Sequence, residues 1–180
     1  MASFVTPDAI AAYRGLGSMF EYTNGDGECT RTNCGQAAAA TLLTFCGKFE
    51  PSEDKACHIM AAIERHHPPD NLGGLFGTSR RRVTQICRAF GVRVRPVEGE
   101  STLRAQLDLR RPVIVMLGVS AGKFWKWDLP GGHWMVAYGY DPDHVYLTNW
   151  GKMTWQEFRA GWNSLVPRLI AMRRRGLAAL

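Results

Sequence analysis

Two residues of this chain have the types and settings for nucleophilic chemistry. Cys34 stands in Asn33-Cys34-Gly35-Gln36, directly ahead of a run from Ala37 to Leu43 that reads as helix. A thiol at a helix N-terminus faces unpaired backbone N–H groups and the positive end of the helix dipole, which favour a thiolate. Far downstream, His133 follows two glycines in Gly131-Gly132-His133-Trp134, at the opening of a strand-like run. A histidine folded against such a cysteine makes a nucleophile–base couple, the chemistry of cysteine hydrolases and acyl-transfer enzymes. A buried structural thiol would need neither a helix cap, nor a glycine beside it, nor a histidine partner. The other four cysteines look bland: Cys46 and Cys87 fall on apolar helix stripes, Cys57 beside one, and Cys29 in a loop.

A third residue follows from strand register. On the strand after His133, alternation puts His133, Met135, Ala137 and Gly139 on one face. On the returning strand Val145, Leu147 and Asn149 share a face. A three-residue turn, Asp141-Pro142-Asp143, would pair Tyr140 with His144 and Met135 with Asn149. Asn149 would then sit diagonally from His133, where its carboxamide could orient the imidazole without adding charge. A two-residue turn would put the two on opposite faces. Asp141 and Asp128 are the alternative orienters.

The elements that must hold these residues are helical first and mostly strand afterwards. Thr6-Pro7 opens a short helix to about Tyr13, and Gly15 to Asn33 is turn-rich around Asn24-Gly25-Asp26-Gly27. Thr32 or Asn33 can cap the Cys34 helix, which carries Ala38, Leu42 and Phe45 on one stripe and ends at Gly47. A helix after Ser52 turns Ala56, Ile59, Met60 and Ile63 inward and stops before Pro68-Pro69. Another, starting at Thr78 or Ser79, buries Val83, Ile86, Cys87 and Phe90. Next come a strand over 92–97, a short helix over 102–109, and a strand over 112–119 whose β-branched run marks burial on both faces. The hairpin of residues 133–149 follows, and Thr154-Trp155-Gln156-Glu157 is a capping box for a helix with Trp155, Phe158 and Trp162 on one side. This order predicts an α+β fold, with N-terminal helices carrying the nucleophile packed on a C-terminal antiparallel sheet, in one domain spanning 1–180.

Composition narrows the class. Of 180 residues, 46% are hydrophobic and 21% charged, which suits a globular rather than a disordered chain. The net charge of +6 comes with arginine clusters at 80–82 and 173–175, but no interleaved aromatics accompany them, so the reading is a solvated basic face and no nucleic-acid partner. The longest apolar run, Val113 to Val119, is too short for a bilayer, so no membrane partner is expected. Five cysteines without regular spacing point to reduced thiols. The N-terminus lacks a signal-peptide pattern, so the expected location is cytoplasmic, or secreted by a route without a Sec signal. His66-His67 with Cys57-His58 lack a closed metal-ligand spacing, and Gly73, Gly74 and Gly77 lack the rest of a phosphate loop. Neither a metal nor a cofactor is expected.

With those residues in view the chain resembles papain-like cysteine peptidases. The resemblance rests on Asn-Cys-Gly-x-Ala-Ala opening a helix, Gly-His-Trp-x-Val-x-x-Gly-Tyr-Asp, Val-Tyr-Leu-Thr-Asn-Trp-Gly, and Thr-Trp-x-Glu-Phe. It covers about residues 28 to 162 and looks closest to the bacteriocin-processing (double-glycine) peptidase-like branch. It implies Cys34 as nucleophile, His133 as base and acid, and Asn149 as orienting residue. It also implies a protein or peptide substrate cleaved through a thioester. Acyl transfer or deamidation by the same triad, as in phytochelatin synthase-like relatives, and a peptide-binding module without catalysis are the alternatives. A stand-alone effector or toxin would fit, with a proteinaceous inhibitor or immunity protein as its partner. Two departures stand out. Glu28 occupies the place of the usual oxyanion-donating glutamine, leaving Asn33, Thr30, Gln36 or the Cys34 N–H as donors. Asn149 replaces the branch's usual aspartate, as in papain itself.

Overall fold

The structure, a computed structural model, describes residues 1–7, 12–27, 32–70, 77–119, 131–164 and 175–180. The expected helix after Pro7, the Glu28 and Thr30 positions, Cys29, Asp128, Trp125 and Trp127 lie wholly or largely outside them. Three short strands occupy the N-terminal part: β1 (Ser3–Val5), β2 (Arg14–Gly15) and β3 (Met19–Glu21). Then come α1 (Cys34–Phe45), α2 (Glu53–His66), α3 (Arg80–Ala89), β4 (Val94–Glu98), α4 (Gly99–Asp108) and β5 (Val113–Val119). The hairpin of β6 (Gly131–Tyr140) and β7 (His144–Leu147) leads to β8 (Gly151–Thr154), α5 (Trp155–Asn163) and β9 (Arg175–Ala179).

The main sheet is antiparallel throughout, in the order β4-β9-β5-β6-β7-β8, and β2 pairs with the far end of β6. Alternate residues of β5 and β6 feed two cores. Ile114, Met116, Trp134, Val136 and Tyr138 face α1, α2 and α3, while Val113, Val115, Leu117, Met135 and Ala137 face α4 and α5. The α+β expectation holds, and burial on both faces explains the apolar run in β5.

Local signals fix most helix ends. Ser79 caps α3 by accepting the Arg82 N–H at 3.1 Å, and Thr154 and Glu157 close a reciprocal box on α5. Gly47, at φ 71°, ends α1 in a Schellman arrangement, with Gly47 N–H on Thr44 and Lys48 N–H on Leu43. The expected stripe on α1 is corrected. Every residue from Cys34 to Thr44 is buried, whereas Phe45 is 42% exposed, because the helix runs through the core instead of lying on it.

The hairpin turn also differs from expectation. Asp141 N–H bonds the His144 carbonyl and Tyr140 pairs with Val145, so only Pro142 and Asp143 make the turn. That register alone would misalign the two faces. A β-bulge at Tyr138 inserts one residue, and beyond it Ala137 pairs with Leu147. Met135, Ala137, Val145 and Leu147 therefore share one core after all. Gly139, expected on that face, moves to the other, where the Tyr13 ring covers it.

The bulge depends on that coverage. Tyr13 Oη donates to the Leu16 carbonyl at 2.6 Å and lies 3.4 Å from the Tyr138 carbonyl, which also accepts the Leu16 N–H. A Cβ at Gly139 would overlap the Tyr13 ring. Gly139→Ala is expected to lower unfolding free energy by about 1–3 kcal/mol, read as a lower denaturant midpoint at unchanged slope.

Candidate active site

Cys34 is the first residue of α1 and only 7% exposed. Backbone N–H groups of Trp134, Gly35 and Cys34 itself lie close enough to its sulfur to favour the thiolate. The Trp134 N–H sets the sulfur against the opening of β6, one residue from His133. Burial dominates the thiol's chemistry and pushes it up from its ordinary value, with the three N–H groups offsetting only part. The resting thiolate expected from the helix terminus is thereby corrected. Withdrawing a thiolate from water outweighs the stabilisation that three N–H groups and a helix dipole provide.

His133 is partly buried, and that burial holds its imidazole down to about 4. At neutral pH the ring is uncharged and able to accept a proton. The resting site thus contains a neutral thiol and a neutral base.

Asn149 lies just past β7 in the left-handed backbone region, at φ 60°. Thr148 N–H reaches the Val136 carbonyl at 3.0 Å, which carries the contact with β6 past the bulge to the residue before Asn149. Two bonds to β3 and its end hold Asn149: its N–H donates to Glu21 Oε2 at 2.6 Å, and its Nδ2 to the Tyr22 carbonyl at 3.0 Å. A carbonyl can only accept, so the Tyr22 bond fixes the carboxamide with nitrogen toward β3 and oxygen at the other end. Burial pushes the Glu21 carboxyl up, and the Asn149 N–H offsets part of that.

The alternative orienter Asp141 is excluded. It lies eight residues along from His133, roughly 25 Å on an extended strand. Its Oδ1 accepts the Asp143 and His144 N–H groups and its Oδ2 the Tyr146 hydroxyl, so it serves the turn.

Two of the candidate oxyanion donors are also spoken for. Asn33 is fully buried and does not cap α1 with its side chain. Its Nδ2 donates to the Asn24 carbonyl and to Glu64 Oε1. Gln36 Nε2 donates to the His67 carbonyl at 2.9 Å, and Gln36 Oε1 accepts the Thr78 hydroxyl at 2.6 Å. Among the described residues the Cys34 backbone N–H is the candidate that remains.

Several supporting residues went unread in the sequence. Glu64 left a signal: it stands four residues after Met60 and next to Ile63, on the buried side of α2. Thr78 read only as a helix start, and Glu21 and Tyr22 left no signal beyond a polar loop. Trp134 is fully buried, with its indole N–H on the Thr78 carbonyl at 2.8 Å. Among the described residues no three metal-type ligands converge. Nor is any described helix long and apolar enough to cross a membrane.

No protein-family model matches the sequence, and no curated protein matches it either. Solved structures do. A putative C39-like peptidase from Bacillus anthracis superposes with a TM-score of 0.57 at 13% identity, over 83% of this chain and 89% of that one. The peptidase domain of Streptococcus ComA, a bi-functional ABC transporter involved in a quorum sensing pathway, gives 0.53 at 14% identity, over 97% and 96%. At these identities the likeness shows the fold, which is that of C39-like peptidases.

Two outcomes follow from the geometry. Iodoacetamide labelling of Cys34 should climb with pH through a midpoint above that of an exposed thiol, because burial raises it. Labelling already maximal at pH 5 would instead reveal a resting ion pair. Asn149→Asp would set a carboxylate against the Tyr22 carbonyl and beside Glu21. The expected loss is about 1–3 kcal/mol at pH 8. Repulsion raises the new group's folded pKa, so the loss should shrink as pH falls and protonation restores a donor, measured by denaturant unfolding at pH 5 and 8.

Proposed function

We propose that this chain is a cysteine peptidase acting on a protein or peptide, with Cys34 as nucleophile, His133 as general base and acid, and Asn149 as orienting residue. The observation that carries the reading is the approach of the Trp134 backbone N–H to the Cys34 sulfur. It docks the first residue of a central helix against the strand that bears the histidine. The fold shared with C39-like peptidases supports the same assignment.

The neutral resting pair defines the first step. As a substrate carbonyl arrives, His133 accepts the Cys34 proton and the sulfur attacks, forming a tetrahedral oxyanion that the Cys34 N–H can bind. Away from water the resulting imidazolium and the developing anion attract each other strongly. His133 then protonates the leaving amine, a thioester remains, and water activated by the same imidazole releases the acid. The Asn149 carboxamide oxygen, held by the Tyr22 bond at the other end of the group, supplies the acceptor for an imidazole N–H.

Profiling of new protein N-termini in cells expressing the wild type or Cys34→Ala tests this. Cleavage products present with the wild type and absent with the variant are expected, and His133→Ala should lower kcat on the mapped peptide by about 10³-fold or more. Identical termini in both samples would refute proteolysis.

A further inference from the structure

We infer that Trp134 is a positioning residue, whose indole tether to Thr78 sets the distance between the nucleophile helix and the histidine strand. This rests on the assignment of Cys34 and His133 above. Thr78 lies just before α3, is buried, and touches both sides of the couple. Toward the nucleophile, its side chain packs on Gly35 so closely that a Cβ built there would lie 2.5 Å from the Thr78 Cβ. Its hydroxyl donates to Gln36 Oε1 at 2.6 Å, in the same first turn of α1. Toward the base, its carbonyl accepts the Trp134 indole N–H at 2.8 Å. The Trp134 backbone N–H then returns to the Cys34 sulfur. Cys34, Gly35, Thr78 and Trp134 thus form a closed circuit through covalent neighbours, one packed contact, the indole hydrogen bond and the approach of the Trp134 N–H to the sulfur.

A closed circuit of buried groups has little slack. Gln36, Thr78 and Trp134 are each no more than 1% exposed, so water does not compete for these bonds. His133 is the residue before Trp134 and moves with it. Misplacing reacting groups by about 1 Å can cost about 10²-fold in rate, so a tether of this kind bears directly on the reaction. Trp162 offers an internal control. Its indole N–H also bonds a carbonyl, that of Arg175 at 3.1 Å, but α5 packs on the opposite face of the sheet.

The test is a double-mutant cycle on the rate of Cys34 alkylation by iodoacetamide at pH 7.5, using Trp134→Phe and His133→Ala singly and together. Trp134→Phe keeps an aromatic ring and removes the tether's donor, with a loss of buried volume that Trp162→Phe shares. It should slow labelling about tenfold in the wild-type background and less than twofold when His133 is already absent. Trp162→Phe should lower the melting temperature comparably and leave labelling unchanged, and Gly35→Ala, which displaces Thr78, should slow labelling in the same direction as Trp134→Phe. Equal slowing by Trp134→Phe in both backgrounds, no slowing at all, or equal slowing by Trp162→Phe would overturn the tether. Labelling that does not depend on His133 would overturn the underlying couple itself, and the two failures are read from different arms.

Discussion

Burial of α1 on every side is the constraint from which the rest of this structure follows. A helix at the centre of a domain must let neighbours approach from all directions, and Ala37 to Ala40 make that approach short. Its first turn cannot rely on water to satisfy polar groups. Asn33 is therefore held by Glu64 and the Asn24 carbonyl, and Gln36 by His67 and Thr78. Each bond draws a different segment onto the same turn: α2, the turn at residues 24–26, the loop after α2, and the approach to α3. Cys34, the proposed nucleophile, sits where these constraints converge. Leaving any one of those buried groups unpaired costs about 1–3 kcal/mol, enough to keep the turn in a single arrangement.

The sheet meets this helix through a compensated irregularity. The short turn at Pro142-Asp143 and the bulge at Tyr138 each shift the pairing by one residue, and the shifts cancel beyond Ala137. The bulged stretch is sealed by Tyr13, which packs on Gly139, bonds the Leu16 carbonyl and stacks edge-on against Tyr146. A feature five residues from His133 thus decides which core Val145 and Leu147 reach. The opening of β6 and the end of β7 come into line because of it.

How much of this the sequence revealed depends on the range of each interaction. The helix start after Ser52, the caps at Ser79 and Thr154, the stop at Gly47 and the doubly buried β5 all rest on neighbours within a few residues, and all were legible. The coincidence of the Met135 and Leu147 faces was also expected, though through a three-residue turn that does not exist. Asp141 takes both following N–H groups and tightens the turn, and no local pattern announces the bulge that corrects it. Strands β1, β2, β3, β8 and β9 went unread because they are two to five residues long and take their identity from partners elsewhere. In the site, Cys34 and His133 were visible as residue types in context. Their supports at Glu21, Tyr22, Glu64 and Thr78 were not, since each matters only through a contact distant in sequence.

The same burial that orders the site also sets its charge, and it argues for an uncharged third member. With the thiol pushed up and the imidazole held down to about 4, the resting couple is neutral, and burial alone gives the imidazole its direction. An aspartate at 149 would favour the protonated imidazole before any substrate arrived, and would need a donor that the Tyr22 carbonyl cannot be. In the proposed triad asparagine meets both demands in one group, donating to Tyr22 and leaving its oxygen as the acceptor proposed for the imidazole N–H. The charge separation that the proposed reaction needs is then deferred until a carbonyl is present to receive the sulfur. In a dry site that timing is favourable, because the ion pair forms together with the transition state that it stabilises.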